Sequence, residues 1–192
     1  MRSVRKYTGN GTLAAHLLGT VGALSADEYK EKKAETDEAL KTAVLDSEKT
    51  AQINARAYSL TDSIGKNGIE KAMEQYLRGK NGVKTLSVGK DGSIEESYAV
   101  APEQGGTVIT TINKDIQEIA QSSLEERIKS VTDDEAITKG LTPAGAVVVQ
   151  DVKTGAVLAA ATYPDYSLAT YYDDYDKLSK DPGKPLWNRA FQ

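Results

Sequence analysis

The sequence predicts an α+β fold, in which helices are combined with antiparallel β-hairpins. Two runs rich in β-branched residues surround the turn sequences Gly89-Lys-Asp-Gly92 and Val152-Lys-Thr-Gly155. Glycine supplies the positive φ that such tight hairpin turns require. A third observation indicates a long helix, because apolar residues recur at helical spacing between residues 113 and 131. A chain of 192 residues can bury a core without disulfides or a structural metal.

A capping box marks the start of the first long helix. Ser25 and Glu28 have the Ser-x-x-Glu spacing, in which each side chain bonds the backbone N–H of the other residue. The charged, Ala-rich stretch from Tyr29 to about Leu45 is interpreted as one exposed helix or as two helices broken near Thr36. The polar stretch 46–59 shows no such periodicity and is predicted to be a loop.

A second helix is predicted over residues 68–78, with Asn67 as its N-cap and Gly79 as its C-terminal glycine. Its apolar residues have the spacing of a buried helical face: Ile69, Ala72, Met73, Tyr76 and Leu77. Together with the preceding turn at 65–68, this helix is expected to form a rigid junction.

The remaining chain is predicted to alternate strands and one helix. The hairpins pair residues 83–88 with 93–100 and residues 144–151 with 156–162; the second hairpin is expected to be buried on both faces. A strand at 107–112 leads into the helix 113–131, whose stripe consists of Ile116, Ile119, Ala120, Leu124, Ile128 and Val131. Residues 102–106 mark a domain boundary, and the chain after Pro164 shows little periodicity.

Composition excludes several classes of function. The 24 Lys+Arg and 28 Asp+Glu give a net charge of −4, which disfavours nucleic-acid binding because that affinity comes mainly from cations displacing counterions. With no Cys and one His, thiol catalysis and Cys-ligated or two-His zinc sites are impossible. No apolar run is long enough to span a membrane.

Candidate catalytic and metal-binding motifs have simpler interpretations. Ser-x-x-Lys, the nucleophile and base of some acyl-transferring enzymes, occurs three times, close to the number expected by chance: Ser3–Lys6, Ser63–Lys66 and Ser87–Lys90. Lys153-Thr-Gly155 is interpreted as a hairpin turn, and His16 as a packed, hydrogen-bonded histidine. An acidic group near the end is interpreted as a solvated loop rather than a cation site: Asp173, Asp174 and Asp176. No catalytic residue, cofactor or metal is therefore predicted.

A set of ordered segments is more specific than any single motif. These segments are Arg5-Lys-Tyr7 with 13–19; Ile64–Glu70 with Tyr76-Leu-Arg-Gly79; Thr110-Thr-Ile-Asn113; 144–159; and Tyr163-Pro164 with Asn188-Arg-Ala-Phe-Gln192. In this order they resemble the class B penicillin-binding proteins, the single-pass transpeptidases of bacterial cell-wall synthesis. The second segment is the most specific match.

The resemblance implies two parts: a non-catalytic pedestal, or dimerisation domain, at 1–106 and the N-terminal part of a penicillin-binding transpeptidase domain at 107–192. In the family the catalytic Ser-x-x-Lys follows the Asn188-Arg-Ala190 segment, so this sequence is expected to stop before it. A membrane anchor is expected ahead of Arg2. The implied role is to position a peptidoglycan D,D-transpeptidase domain at the extracytoplasmic face of the bacterial membrane.

The resemblance also implies contact residues and partners. Residues expected at interdomain or partner contacts are Arg5, Tyr7, Gly65, Gly68, Glu70 and Arg78. The two guanidiniums are expected to pair with carboxylates. Expected partners are the remainder of the transpeptidase domain and other cell-wall synthesis or division proteins. A second copy of the chain is expected on a separate ground, because the 144–162 hairpin alone would leave apolar surface and an unpaired edge. The parent is expected to act on peptidoglycan stem peptides and to bind β-lactams.

Two other functions remain open at this stage. An independent serine acyl-transferase or hydrolase would use Ser63–Lys66 or Ser87–Lys90. A small-molecule or glycan-binding α+β module would use the amphipathic tyrosines near the end: Tyr163, Tyr166, Tyr171, Tyr172 and Tyr175.

Overall fold

A computed structural model describes residues 11–132 and 143–191. Arg5, Tyr7 and the Ser3–Lys6 pair lie outside the described residues. The helices are α1 (Ala15–Leu18), α2 (Ala26–Thr42), α3 (Ser47–Arg56), α4 (Gly68–Ala72), α5 (Glu74–Leu77), α6 (Lys114–Thr132) and α7 (Tyr171–Lys180). The strands are β1 (Val21–Ala23), β2 (Ser63–Gly65), β3 (Val83–Val88), β4 (Ile94–Val100), β5 (Gly145–Gln150) and β6 (Val157–Tyr163). The predicted α+β class is confirmed.

The strands form antiparallel pairs. Within the described ranges, β1 pairs with β2, β3 with β4, and β5 with β6. Both predicted hairpins are therefore confirmed, but the expected burial of the second on both faces is wrong for β5: its residues alternate between half-buried and exposed, and Val148 is 48% exposed. Asp151 Oδ1 accepts from the backbone N–H groups of Lys153 and Thr154 at 2.8 Å, and Gly155 has a φ of 75°. The Lys-Thr-Gly sequence is the hairpin turn that the sequence predicts.

The described chain divides into two compact units. The first unit contains residues 11–20, Lys66–Ala72, 109–132 and 143–191. The second contains Val21–Gly65 and Met73–Val108. The domain boundary expected at 106/107 remains a prediction.

The core of the first unit forms where α6 packs on the β5–β6 hairpin. Ala120 and Leu124 of α6 pack against Ala159 and Ala161 of β6, all buried. Small residues on β6 let the helix approach the sheet closely. Ile119, predicted to lie on the buried stripe, is instead 64% exposed, and Gln117 is buried in its place because its amide bonds the backbone of β6.

In the second unit, α2 begins at the predicted capping box. Ser25 Oγ accepts from Glu28 N, and Glu28 Oε2 accepts from Ser25 N at 2.7 Å. The helix is continuous through Thr36, which settles the choice left open by the sequence. The loop predicted at 46–59 is wrong: Asp46 caps α3 through Lys49 N, and Ala55 of α3 is fully buried. The burial of Ala55 stabilises α3 even though its apolar residues show only weak helical periodicity.

Three further predictions are corrected. The stretch 107–112 has no strand; Thr111 and Asn113 only bond the carbonyls of Val157 and Leu158 on β6. The region after Pro164 contains α7, whose Tyr171 and Leu178 pack against the buried cluster of Ala15, Tyr166 and Leu168. Asp173 and Asp174 thus lie in the first turn of a helix rather than in a loop, where the helix dipole favours negative charge.

The helix predicted over 68–78 is divided into α4 and α5 at Met73. Met73 and Tyr76, predicted on the buried face, are 37% and 60% exposed, whereas Glu74 is buried. A carboxylate is tolerated in that position because it accepts hydrogen bonds from Gly65 N and the Tyr58 hydroxyl.

Candidate functional site

Arg78, one of the predicted contact residues, holds together three parts of the second unit. Its Nη1 donates to the carbonyl of Arg56 at 2.6 Å, and its Nη2 donates to the carbonyl of Ala57 at 2.8 Å. The same Nη2 contacts Asp62 Oδ2 at 3.0 Å, with only 17% and 27% of the two side chains exposed. The predicted pairing with a carboxylate is present, but it uses one nitrogen, and the other bonds go to backbone.

The ring of Tyr58 lies beneath this guanidinium. Arg78 Cζ is 3.5 Å from the ring centroid, a distance at which the ring attracts a cation. The Tyr58 hydroxyl donates to Glu74 Oε1 at 3.3 Å. Burial, followed by the nearby Glu74 charge, raises the pKa of Tyr58.

Gly65, another predicted residue, joins this network through its backbone. Gly65 N donates to Glu74 Oε2 at 2.9 Å, while its strand pairs with β1. We call these side chains and this backbone group the Arg78 cluster: Tyr58, Asp62, Gly65, Glu74 and Arg78. Sequence reasoning missed Tyr58, Asp62 and Glu74, and no spacing marks Glu74, since its partners come from a different segment.

Gly68 and Glu70, the other predicted residues, lie in the first unit. Gly68 has a φ of 59°, and a Cβ there would lie 2.6 Å from the Leu17 carbonyl oxygen and 2.8 Å from Gly19 Cα. Asn67, predicted as an N-cap, instead uses Oδ1 to accept from Thr20 N at 2.7 Å. Glu70 is half-buried in the first turn of α4. The structure therefore brings Gly65 and Arg78 into one cluster and places Gly68 against α1.

Two glutamines of α6 form hydrogen bonds to the backbone of other segments of the first unit. The Gln117 amide accepts from Ala160 N at 2.7 Å and donates to Ala160 O at 3.0 Å. Gln121 accepts from Ala14 N and donates to the Thr12 carbonyl, each at 3.0 Å. These residues were missed, although Gln117 shares a helical spacing with Ala120 and Leu124 that could have indicated its burial.

A pocket of about 380 Å³ lies beside α6. Its lining includes Gln121, Glu125, Tyr163 and Asp165. Gln121 Nε2 donates to Asp165 Oδ2 at 3.1 Å. Burial raises the pKa of Asp165, and the Glu125 charge adds to the effect, whereas the Gln121 bond opposes it.

The serine motifs lie in extended backbone. Ser63 is exposed in β2, and Ser87 is exposed in β3. A serine and the lysine three residues later lie on one face only when they belong to a helical turn. Neither Ser63 nor Ser87 lies at the start of a helix. In the described part of the chain, no three His, Cys, Asp or Glu side chains are grouped to hold a metal ion.

The tyrosines near the end form a packed aromatic group rather than an open platform. Tyr166 is buried and contacts His16 edge-on at 4.8 Å and Tyr171 at 5.3 Å. Tyr172 and Tyr175 pack edge-on against Tyr171 and remain about half exposed. His16 is packed in this aromatic group, as the sequence predicts.

The sequence pattern of the penicillin-binding protein dimerisation domain matches residues 1–111. The chain is 32% identical over 141 residues to peptidoglycan D,D-transpeptidase MrdA of Escherichia coli strain K12, covering 70% of this chain and 20% of that protein. The protein of the same name from Acinetobacter baumannii is 25% identical over 193 residues, covering 97% of this chain and 23% of the relative. The chain thus spans about a fifth to a quarter of these relatives. No helix among the described residues is long and apolar enough to cross a membrane.

Solved structures have a similar fold. One is a chain of a peptidoglycan synthase complex that coordinates polymerization and crosslinking. It matches with a TM-score of 0.65 and 26% identity, and the match covers 94% of this chain and 28% of the solved chain. A chain from the complex between penicillin-binding protein PBP2 and MreC of Helicobacter pylori has a TM-score of 0.57 and 24% identity, covering 94% and 27%. At the latter identity, the likeness shows the fold alone.

Proposed function

Since this chain belongs to the penicillin-binding protein dimerisation domain family, within the class B penicillin-binding proteins, we propose that it positions a D,D-transpeptidase domain during peptidoglycan synthesis. On this proposal it is a structural segment that carries no catalytic residue. The serine nucleophile belongs to the parent protein, which acts on peptidoglycan stem peptides and is acylated by β-lactams. The proposed location is the extracytoplasmic face of the bacterial membrane.

One observation supports the proposal: residues 11–20, which belong to the segment that matches the dimerisation domain, lie in the same compact unit as α6 and the β5–β6 hairpin. Gln121 of α6 bonds the backbone of Thr12 and Ala14. Leu168 N donates to Gly11 O at 2.9 Å, and Asn188 Nδ2 donates to His16 O at 3.3 Å. A segment bonded in this way constrains the orientation of the chain that follows it, which is what a positioning role requires.

Partner contacts form the second part of the proposal. The Helicobacter pylori neighbour is a penicillin-binding protein in complex with MreC, and another neighbour comes from a peptidoglycan synthase complex. We propose that proteins of cell-wall synthesis likewise contact this chain. The second unit offers Leu86, Val88, Ile94 and Tyr98 as exposed apolar side chains on one face of the β3–β4 hairpin.

Incubation with a fluorescent penicillin, followed by intact-mass measurement, tests the non-catalytic role. We expect no adduct on the 192-residue chain and an adduct on the parent protein. A covalent adduct on this chain would support the alternative of an independent serine enzyme and would overturn the proposal.

A second experiment tests positioning in the parent protein. Arg78→Lys, which removes the planar fork from the Arg78 cluster, is expected to leave penicillin acylation intact while lowering peptidoglycan crosslinking in cells. Lys33→Ala is the matched control, because Lys33 pairs with Asp37 on the exposed surface of α2. Equal crosslinking in the two variants would contradict the positioning role.

A further inference from the structure

The sequence contains one short pattern twice: Gly-Lys-Asn-Gly followed by a β-branched residue, at 65–69 and at 79–83. The asparagines of the two copies are Asn67 and Asn81. In an Asn-Gly pair the backbone nitrogen of the glycine can attack the asparagine side chain, because no Cβ shields that nitrogen. Since the neighbours along the chain are nearly the same, the two copies have nearly equal intrinsic reactivity, and a difference between them has to come from the fold.

The fold holds the first copy in place. Asn67 Oδ1 accepts from Thr20 N at 2.7 Å and from Thr20 Oγ1 at 3.3 Å. The backbone on both sides is closely packed, because a Cβ on Gly19 would collide with the Asn67 carbonyl and a Cβ on Gly68 would collide with the Leu17 carbonyl. To close on the Gly68 nitrogen, the Asn67 side chain has to give up its bonds to Thr20.

The second copy lies in the connection between α5 and β3, where Asn81 and Gly82 are both exposed. Backbone hydrogen bonds fix its position: Asn81 N donates to Ala55 O at 2.8 Å, and Lys80 exchanges bonds of 2.9 and 3.0 Å with Glu103. No residue that the structure describes bonds the Asn81 carboxamide or the Gly82 N–H. Both reacting groups are therefore accessible to water and unrestrained by other side chains.

We propose that Asn81 is a site of spontaneous deamidation in the folded chain, whereas the fold protects Asn67. The Gly82 nitrogen loses its proton and bonds to Asn81 Cγ, and the side-chain nitrogen takes up a proton and leaves as ammonia. Water then opens the five-membered imide at either carbonyl, which leaves aspartate or isoaspartate at position 81. Each product adds a negative charge next to Lys80, which pairs with Glu103. This modification is separate from the proposed positioning function and can be tested without it.

A time course on the 192-residue chain tests the proposal. After incubation at mildly alkaline pH, a glutamate-specific protease separates the sites, because residues 49–70 carry Asn67 and residues 75–95 carry Asn81. Mass spectrometry of the two peptides, with fragment ions to locate the change, gives the deamidated fraction at each site. In the native chain we expect Asn81 to react at least about tenfold faster than Asn67, which first has to lose two hydrogen bonds. In concentrated urea, where both copies are unfolded, the two rates should become nearly equal.

Asn81→Gln supplies the unreactive variant, because attack on the longer side chain has to close a six-membered ring. Asn54→Gln, at an exposed position of α3, is the matched control and should deamidate at position 81 at the wild-type rate. Continued deamidation of peptide 75–95 in Asn81→Gln would overturn the proposal. So would a native rate at Asn67 equal to or above that at Asn81, or a native chain that stays intact at Asn81 while the urea-unfolded chain reacts. These last results use the wild-type chain and remain decisive if a variant fails to fold.

Discussion

The guanidinium of Arg78 lies 3.5 Å from the centre of the Tyr58 ring, with its nitrogens bonded to two carbonyls and the Asp62 carboxylate. This geometry uses two properties of arginine: its planar cation stacks on an aromatic ring, and its N–H groups donate hydrogen bonds in the plane of the guanidinium. A lysine ammonium at the same position could not satisfy three acceptors and stack on the ring together. The Arg78 cluster therefore depends on the residue type as well as on its charge.

Arg78→Lys should destabilise the chain by about 2 kcal/mol, because it removes bonds to partly buried acceptors. Urea unfolding followed by circular dichroism measures the change. Lys33→Ala, which breaks a fully exposed pair on α2, should cost far less, because water and salt screen such pairs. Similar losses in the two variants would show that the Arg78 cluster adds nothing beyond a surface ion pair.

Gly68→Ala should destabilise the first unit by more than about 2 kcal/mol, because a left-handed backbone strain of about 1–2 kcal/mol is joined by a clash. The added Cβ would lie 2.6 Å from the Leu17 carbonyl oxygen. Gly92→Ala is the matched control: its φ is 82°, but no atom lies within 4 Å of the new Cβ. Thermal unfolding should separate the two, and an unchanged melting temperature for Gly68→Ala would contradict the predicted tight approach to α1.

Gln117→Leu should cost about 2–4 kcal/mol, since it leaves the N–H and carbonyl of Ala160 without their partner inside the core. Gln117→Glu should also destabilise at neutral pH, because a carboxylate accepts but cannot donate to Ala160 O. Glu126→Gln, on the exposed side of α6, serves as the control. If Gln117→Leu unfolded at the same urea concentration as this control, the amide bonds would not be contributing to stability.

Asp165→Asn should stabilise the chain at neutral pH and have little effect in acid. The pKa of Asp165 is raised in the fold, chiefly by burial, so its ionisation costs stability as pH rises above the ordinary aspartate range. Asparagine removes that cost and keeps an acceptor for Gln121. Stability measured from about pH 3 to about pH 7 should show the difference growing with pH.

Asp91→Asn should change the free energy of unfolding with pH in the opposite direction, since it should destabilise the chain at neutral pH. Hydrogen bonds from Ser93 lower the pKa of Asp91, so its contribution to stability is present above the ordinary aspartate pKa and disappears as pH falls. If Asp165→Asn gave the same pH dependence as Asp91→Asn, the burial of Asp165 would be contradicted.

Self-association through the β5–β6 hairpin remains a prediction. This sheet has two strands in the described chain, and Val148 of β5 is 48% exposed. An unpaired edge with an apolar side chain favours pairing with a second copy, so sedimentation should show a concentration-dependent dimer. Val148→Lys should weaken it, whereas Val152→Lys, in the turn, should not; a monomer at every concentration would contradict the prediction.

Local patterns predicted much of the fold. The two hairpins and the capping box at Ser25 follow from turn and cap chemistry confined to a few neighbouring residues. The errors at α3 and α7 arose because two contacts, the burial of Ala55 and the packing of half-buried Tyr171 on the core of the first unit, stabilise helices whose own periodicity is weak. The interruption at Met73 also has no local sequence signal, and Glu74, which follows it, accepts a hydrogen bond from the distant Gly65 N.

The candidate site was predicted only in part. Gly65 and Arg78 lie in one cluster, but their main partners, Glu74 and Tyr58, were not anticipated. Gly68 was predicted as an interdomain or partner contact, which stays a prediction; within the first unit it lies against Leu17 of α1 with a φ of 59°, a neighbour that the sequence did not indicate.

The amino-acid sequence by itself determined the α+β class, the hairpins and the cap of α2, because each depends on short-range spacing, and it determined the family through the order of short segments along the chain. Tertiary structure alone decided that Glu74 is buried, that Gln117 bonds the backbone of Ala160 and that Arg78 bonds Asp62. A polar group can leave water only where another segment supplies its partner, and residues far apart in sequence meet only once the chain has folded.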